Sequence, residues 1–250
     1  MKTVLRLALA LWLLAAPVFA APSFPVPAES RQLVVVLSDG WDAPTARMYR
    51  FERDNAQGEW SPIGQVVTVN LGRTGLAWGR SELIKDAESG SGPQKREGDG
   101  KSPAGLFPFL KGFGHPAKPA GYSSANLPFM VVEHEQCVDD GASPYYNQIV
   151  KPSEVGGRTW KSAEDMKIGL YKMGLVVGHN CPAAKPGMGS CIFYHLQSGA
   201  NCPTSGCTAM DRGSLTNLLL WLKRDAKPVV LQLPRAEFSS SHDPSWPEIR

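Results

Sequence analysis

The sequence predicts a mainly β domain, a sandwich or barrel-like arrangement of mixed sheets with a single helix near the end of the chain. Glycine and proline are plentiful, with 25 and 21 of 250 residues, which favours many short strands joined by turns. Short apolar or alternating runs recur along the chain. Only one stretch, residues 211–225, carries leucines at sustained helical spacing.

The strands are predicted from β-branched and alternating runs. Residues 32–37 form a nearly continuous β-branched run, and residues 45–52 alternate like its hairpin partner. Shorter runs predict further strands at 65–71, 105–109, 129–133, 175–177, 192–194 and 229–233. Residues 162–167 resemble a short capped helix beginning at Ser162.

The helix over residues 211–225 has clear start signals. Asp211 or Ser214 can cap its first turn, and four leucines then recur on one face: Leu215, Leu218, Leu219 and Leu222. We therefore expect this helix to pack its leucines against the sheet.

The N-terminus resembles a secretory signal. Lys2 and Arg6 are followed by an apolar stretch, and residues 18–20 provide a small-residue cleavage site, so residues 1–20 are interpreted as a signal peptide. The alternative is a membrane anchor, but the stretch is short for a bilayer. We expect export to the periplasm or cell-wall space without a stable membrane anchor. Residues 21–30 are predicted to be an extended, mobile lead-in, 31–235 one folded domain, and 236–250 a disordered tail.

The charge balance gives no case for a nucleic-acid partner. There are 26 basic and 23 acidic residues, for a formal net charge of +3, and no block of lysine or arginine occurs.

Five cysteines in an exported chain indicate an oxidising compartment and at least one unpaired thiol. If Cys207 is the free cysteine, the other four can pair in three ways. We favour Cys181–Cys191 with Cys137–Cys202, because residues 182–190 resemble a loop joining two strands.

The most informative stretch is 189–210. Gly-Ser-Cys-Ile-Phe-Tyr-His ends an apolar run at His195, and Cys207 follows directly after Gly206 in a tight turn. A cysteine is a nucleophile only as its thiolate, and histidine is its usual base. We therefore predict that Cys207 is the nucleophile and His195 the general base. The N–H groups of Gly206 and Cys207 are candidate oxyanion donors, and Ser205 either donates there or caps the turn.

A zinc site is an alternative use of the same region, which contains His179, Cys181, Cys191, His195, Cys202 and Cys207. Their spacings are unusual for zinc, and export favours disulfides over metal-bound thiolates. We expect no metal and no cofactor.

These residues resemble the L,D-transpeptidase catalytic domain, a family that remodels bacterial peptidoglycan. The matching residues are His195 and the run Ser205-Gly-Cys-Thr208, with Met210. A second match lies upstream in Gly98-Asp-Gly-Lys-Ser-Pro-Ala-Gly105, and the resemblance covers residues 33–233. The chain departs from the common pattern at Ala209, where arginine is usual. It is closer to a subgroup whose motifs are Gly-Ser-x-Ile-Phe-x-His and Pro-Thr-x-Gly-Cys.

The resemblance implies a reaction and a cleft. Cys207 would attack the carbonyl between the third and fourth residues of a tetrapeptide stem, release D-Ala, and pass the acyl group to an amine of another stem or of a protein. Water as acceptor would give a carboxypeptidase or amidase, and a non-catalytic wall-binding module is a further alternative. By the same resemblance, Tyr146, Asn147, His179 and Asn180 are candidates for substrate binding.

Overall fold

The computed structural model describes residues 24–84, 92–241 and 243–249. The predicted signal peptide, residues 1–20, lies outside the described residues.

The described chain is built mainly from short strands. In chain order they are β1 Gln32–Ser38, β2 Thr45–Glu52, β3 Ser61–Pro62, β4 Val67–Asn70, β5 Leu76–Trp78, β6 Ser102–Gly114, β7 Phe129–Val131, β8 Gln136–Val138, β9 Ile149–Val150, β10 Ala163–Asp165, β11 Met173–Val177, β12 Phe193–Leu196, β13 Thr208–Met210 and β14 Val229–Pro234. Two α-helices are described, α1 Arg212–Trp221 and α2 Arg235–Ser241.

Most strands belong to one mixed sheet that closes on itself. The order β1-β14-β6-β11-β12-β13-β4-β2 returns to its start because β1 also pairs with β2. The β1–β14 and β12–β13 pairs are parallel, whereas the β6–β11 and β11–β12 pairs are antiparallel. The prediction of a mainly β protein with mixed pairing is therefore confirmed.

The main core fills the closed sheet and continues under α1. All seven residues of β1 are buried, as its β-branched run predicts. Asp211 caps α1 by accepting a hydrogen bond from the Ser214 N–H, and the α1 leucines Leu215, Leu218 and Leu219 are fully buried. Burying each leucine contributes about 1.5–3 kcal/mol to stability, so α1 is anchored directly after β13.

A second, smaller sheet packs beside the large one. It has the order β10-β8-β9, and residues 163–165 form its edge strand by pairing with β8. The prediction of a short helix at 162–167 is wrong, because backbone pairing with β8 overrides the local capping pattern. A second apolar cluster contains Cys137 of this sheet together with Phe113, Phe193 and Cys207 of the closed sheet or its margin.

The two ends of the domain pack against each other. Phe24 is buried edge-on against Trp78, and its carbonyl accepts a hydrogen bond from the buried Trp246 indole. The Val26 N–H donates to Ser245 Oγ. The lead-in and tail are thus ordered where described, in contrast to the expected mobile lead-in at 21–30 and disordered tail at 236–250. Since α2 lies in this tail, the expectation of a single helix is also wrong. Burial of the aromatic side chains of Phe24 and Trp246 stabilises these two terminal segments against the domain.

Candidate active site

The turn before β13 is fixed by two hydroxyl groups. Thr204 Oγ1 accepts from the Gly206 N–H at 3.0 Å and donates to the Cys207 carbonyl at 2.6 Å. Ser102 Oγ, from the start of β6, donates to the same carbonyl at 2.9 Å. These hydrogen bonds fix the backbone of Cys207. They also give the upstream glycine-rich motif, residues 98–105, a structural part in the site, because Ser102 belongs to this motif.

Gly206 has a conformation that favours glycine. Its φ is +153°, and a Cβ placed there would lie 3.1 Å from the Lys101 carbonyl oxygen. The turn therefore depends on the absence of a side chain immediately before Cys207.

Pairing of β12 with β13 places Cys207 and His195 on the same face of the sheet. In the parallel register Tyr194 is opposite Thr208, and both side chains donate to Gln232 Oε1 on one face. Because side chains alternate along a strand, His195 and Cys207 belong to the other face. Both residues line one cleft of about 550 Å³.

The sulfur of Cys207 is a buried, unbridged thiol. Its Sγ accepts from the Phe193 N–H at 3.3 Å, and its S–H can donate to the Cys191 carbonyl, 3.5 Å away. Burial raises the pKa of Cys207, and the nearby negative charge of Glu164 raises it further. The resting side chain is therefore a neutral thiol that must lose its proton during attack.

His195 has the protonation that a general base requires. Its Nδ1 lies 2.8 Å from the Leu196 carbonyl oxygen, and because a carbonyl can only accept, Nδ1 carries the proton. Nε2 is then the basic nitrogen. Burial lowers the pKa of His195, so the imidazole is neutral near pH 7. Among the described residues no hydrogen bond joins this ring to the Cys207 sulfur, and the proton transfer requires the two side chains to approach within the cleft.

The predicted oxyanion donors differ in availability. The Gly206 N–H, predicted as an oxyanion donor, donates instead to Thr204 Oγ1 within the turn. Within the described chain, the Cys207 N–H has no acceptor, so it is the available backbone donor. Ser205 is exposed and lines the cleft beside it.

The disulfide differs from the prediction. Cys137 is bonded to Cys191, and Cys181, Cys202 and Cys207 are free thiols. The pairings Cys181–Cys191 and Cys137–Cys202 are wrong, because Cys137 and Cys191 are buried in one apolar cluster whereas Cys202 is exposed in the loop before β13. A disulfide at this position is compatible with an oxidising, exported compartment.

The four residues assigned to substrate binding by resemblance lie in the neighbouring loops rather than in the lining of this cleft. Asn147 donates to the carbonyls of His179 and Asn180 and accepts from the Cys191 N–H. The Tyr146 hydroxyl donates to Glu97. Asn147 and His179 line a second hollow of about 260 Å³.

The polar atoms of His179 and Asn180 are likewise used internally. Nδ1 of His179 accepts from the Arg80 N–H and its Nε2 donates to the Met188 carbonyl. The Asn180 amide donates to the carbonyls of Lys185 and Gly189. Through these hydrogen bonds Asn147, His179 and Asn180 fix the chain that leads into Cys191 and β12. They therefore stabilise the segment next to the site without lining the cleft.

Two cleft residues were not predicted from the sequence. The Tyr171 hydroxyl donates to Glu164 Oε2 at 2.5 Å, and the Tyr171 ring lies edge-on to the His195 ring, with centroids 5.3 Å apart. Tyr171 ends a short 3₁₀ turn before β11, and Glu164 lies on β10. Glu164 and Tyr171 are only seven residues apart, but the packing of Tyr171 against His195 is a contact between distant parts of the chain for which the sequence offers no local signal.

The described residues contain no group of three or more His, Cys, Asp or Glu side chains arranged to hold a metal ion. In the same part of the chain, neither helix has the length and apolar character needed to cross a bilayer. Comparisons of the chain with protein-family models, with curated proteins and with solved structures found no match.

Proposed function

We propose that this protein is a peptidoglycan L,D-transpeptidase, an acyltransferase with a cysteine nucleophile that acts in the periplasm or cell-wall space. The observation that carries the proposal is the common cleft of Cys207 and His195, which is lined by a free thiol and by a neutral imidazole whose basic nitrogen is Nε2. The sequence resemblance supplies the substrate class, a tetrapeptide stem ending in D-Ala.

Each residue has a defined part in the reaction. His195 Nε2 takes the thiol proton as the Cys207 sulfur attacks the carbonyl carbon of the third stem residue. The Cys207 N–H donates to the oxygen that becomes negative. The C–N bond to D-Ala then breaks, and the imidazolium returns its proton to the departing amine, which leaves a thioester. An acceptor amine attacks this thioester, loses a proton to His195 and forms a new amide while the thiol is regenerated.

The cleft is suited to a peptide that carries both positively and negatively charged groups. Its volume of about 550 Å³ lies within the range of about 300–1,000 Å³ usual for ligand sites. Its lining includes positive and negative side chains: Arg73, Lys95, Glu97, Asp139 and Glu164. A stem peptide with a free carboxylate and a diamino acid can be complemented by such a lining.

A carbapenem tests the nucleophile directly. Intact-mass spectrometry of the protein incubated with a carbapenem should show one covalent adduct, which peptide mapping places on Cys207. Cys202→Ser is the matched control, because Cys202 is a second free cysteine lining the same cleft. The adduct should persist in Cys202→Ser and disappear in Cys207→Ser. An adduct retained in Cys207→Ser would contradict the assignment.

Digestion of purified sacculi tests the reaction. The protein should release D-Ala and form crosslinks between third residues of stems, whereas Cys207→Ala should do neither. Trimmed stems without crosslinks would identify water as the acceptor and make the protein a carboxypeptidase. Sacculi left identical by the wild type and Cys207→Ala would reject the enzymatic proposal.

A further inference from the structure

Glu97 presents a carboxylate to the cleft that contains Cys207 and His195. One of its oxygens, Oε2, accepts hydrogen bonds from the hydroxyl groups of Tyr146 and Ser190, the latter at 2.9 Å. Tyr146 and Ser190 are buried, whereas Glu97 itself is exposed. Two buried donors therefore hold an exposed carboxylate in one position, which is the arrangement of a preorganised binding group.

The other oxygen of this carboxylate, Oε1, is not used within the described part of the chain. There, the hydrogen bonds to the Glu97 side chain both end on Oε2, and Glu97 takes part in no ion pair. A carboxylate that is held in place without a cationic partner is available to a positively charged group of a ligand.

Asp139 supplies a second carboxylate to the lining of the same cleft. Its Oδ1 atom is buried, and among the described residues it finds no hydrogen-bond donor. A buried acceptor without a donor is unfavourable, and such groups are few in native proteins. An ammonium group of a ligand would supply the donor that Oδ1 lacks.

The disulfide holds the segments of the two carboxylates together. Ser190, which donates to Glu97, directly precedes Cys191, and Asp139 lies two residues after Cys137. The bond between Cys137 and Cys191 keeps their α-carbons 5.9 Å apart. Glu97 and Asp139 therefore belong to one covalently linked part of the cleft lining.

A backbone hydrogen bond joins the same region a second time. The Asn147 N–H donates to the Val138 carbonyl at 2.7 Å. Tyr146, which donates to Glu97, directly precedes Asn147, and Asp139 directly follows Val138. The residue that holds the first carboxylate is thus next to the segment that carries the second.

The carboxylate-bearing region adjoins the nucleophile, and the cation buried beside it is already paired. The Cys191 carbonyl lies 3.5 Å from the Cys207 sulfur. Lys95 is buried and lines the cleft, but its ammonium forms an ion pair with Asp99 at 2.6 Å. The charge of Lys95 is therefore compensated within the protein and does not neutralise Glu97.

We propose that Glu97 and Asp139 are specificity-determining residues that bind the side-chain ammonium of the diamino acid, the third residue of the donor stem. The inference rests on the proposed function, because Cys207 attacks the carbonyl of that same residue and thereby brings its side chain to the cleft lining. An ammonium carries three donors, so that it can satisfy more than one carboxylate oxygen. Tyr146 is a positioning residue that acts through Glu97.

Binding is measured without turnover in the full chain carrying Cys207→Ala. The probes are tetrapeptide stems that end in D-Ala and have lysine, norleucine or Nε-acetyl-lysine as the third residue, and calorimetry gives their dissociation constants. The lysine stem should bind at least about tenfold more tightly than either uncharged stem, because it alone forms a charge-assisted hydrogen bond. Glu97→Gln or Asp139→Asn should each reduce this ratio to about threefold or less, with the affinity for the norleucine stem unchanged.

Glu154→Gln is the matched control, because Glu154 is an exposed carboxylate outside the lining of the cleft. It should keep the full ratio. Tyr146→Phe removes one hydroxyl that holds Glu97 but leaves the charge, so it should lower the ratio by less than Glu97→Gln does.

Thermal unfolding separates binding from a structural role. Asp139→Asn should leave the midpoint of unfolding unchanged or raise it, since no hydrogen bond to Oδ1 is lost. If Glu97→Gln does not fold, Tyr146→Phe and Asp139→Asn decide the question.

A second measurement follows the donor stem alone. With Cys207 intact and the protein in excess over the stem, D-Ala release reports a single acylation. Glu97→Gln should slow this release by about threefold or more for the lysine stem and leave it unchanged for the norleucine stem. An equal effect on both stems would show that Glu97 does not recognise the ammonium.

The inference is overturned if Glu97→Gln keeps the full binding ratio, or if the Cys207→Ala protein does not prefer the lysine stem. Crosslinking of sacculi together with such a result would leave the proposed function standing. Conversely, a preference for the lysine stem that depends on Glu97, with the carbapenem and sacculus experiments both negative, would reject the proposed function alone.

Discussion

The Nδ1 atom of His195 lies 2.8 Å from the carbonyl oxygen of Leu196, the next residue in the chain. A backbone carbonyl thus takes the orienting place that a carboxylate fills in many Cys-His and Ser-His sites. Because this acceptor is neutral, it fixes the tautomer without strongly favouring the imidazolium. The burial of His195 therefore prevails and keeps the ring uncharged.

Removing the imidazole should slow acylation of Cys207 by at least about 10²-fold, because the buried thiol then lacks its base. The measurement is the rate of carbapenem acylation of His195→Ala against wild type. Since the pKa of His195 lies below its usual value of about 6.5, the wild-type rate should stay high at pH 6.5 and fall only at lower pH. His134→Gln, at an exposed histidine, is the control. An unchanged rate in His195→Ala would reject the role of base.

The buried imidazole of His179 should make stability depend on pH. Burial lowers the pKa of His179 to about 3, so below pH 6.5 the unfolded chain binds a proton that the folded protein does not. The free energy of unfolding should fall as pH decreases from 6.5 towards 3, by up to about 1.4 kcal/mol per pH unit from this residue. Urea unfolding at pH 7 and pH 5 should show a smaller difference in His179→Gln than in wild type. An equal difference would contradict this account.

The elements that the sequence predicts well are those with a local pattern. The β1–β2 hairpin follows from a β-branched run and its alternating partner, and α1 follows from Asp211 and a leucine stripe. The pairing of β12 with β13 also brings the two predicted catalytic side chains to one cleft.

The features that the sequence does not predict depend on long-range contacts. Residues 163–165 become a strand only because β8 lies beside them. Glu164 reaches the cleft on β10 and Tyr171 at the end of the 3₁₀ turn before β11. The partner of Cys137 is decided by which cysteine shares its apolar cluster. Thr204 could have been found, because a threonine two residues before a turn glycine is a recognisable hydroxyl cap.

Adding a side chain at Gly206 should damage both stability and activity. Its φ of +153° costs a non-glycine residue about 1–3 kcal/mol, and a Cβ would lie 3.1 Å from the Lys101 carbonyl oxygen. Gly206→Ala should lower the free energy of unfolding by about that amount and slow carbapenem acylation. Gly40→Ala is the control, because a Cβ there meets no atom within 4 Å. Equal behaviour of the two variants would contradict the strained turn.

The disulfide determines how many cysteine thiols can be alkylated before and after reduction. Alkylation of unfolded protein without reductant should label three thiols, and alkylation after reduction should label five. Cys137→Ser with Cys191→Ser should lower the free energy of unfolding by about 2–4 kcal/mol. Because the bond fixes Cys191, whose carbonyl accepts from the Cys207 S–H, the double variant should also slow acylation. A peptide linking Cys181 to Cys191 would contradict the assignment.

The paired hydroxyls on the Cys207 carbonyl should be partly interchangeable. Thr204→Val removes one donor to this carbonyl and the acceptor of the Gly206 N–H, and should cost about 1–2 kcal/mol. Ser102→Ala removes the other donor and leaves the Gly72 N–H without its acceptor. Either variant leaves the carbonyl one hydroxyl partner, whereas the double variant leaves none. The loss of stability in the double variant should therefore exceed the sum of the single losses.

Urea unfolding of the two single variants and the double variant measures this coupling, with Thr204→Ser as the control that keeps the hydroxyl. Strictly additive losses would show that the two hydroxyls act on Cys207 independently.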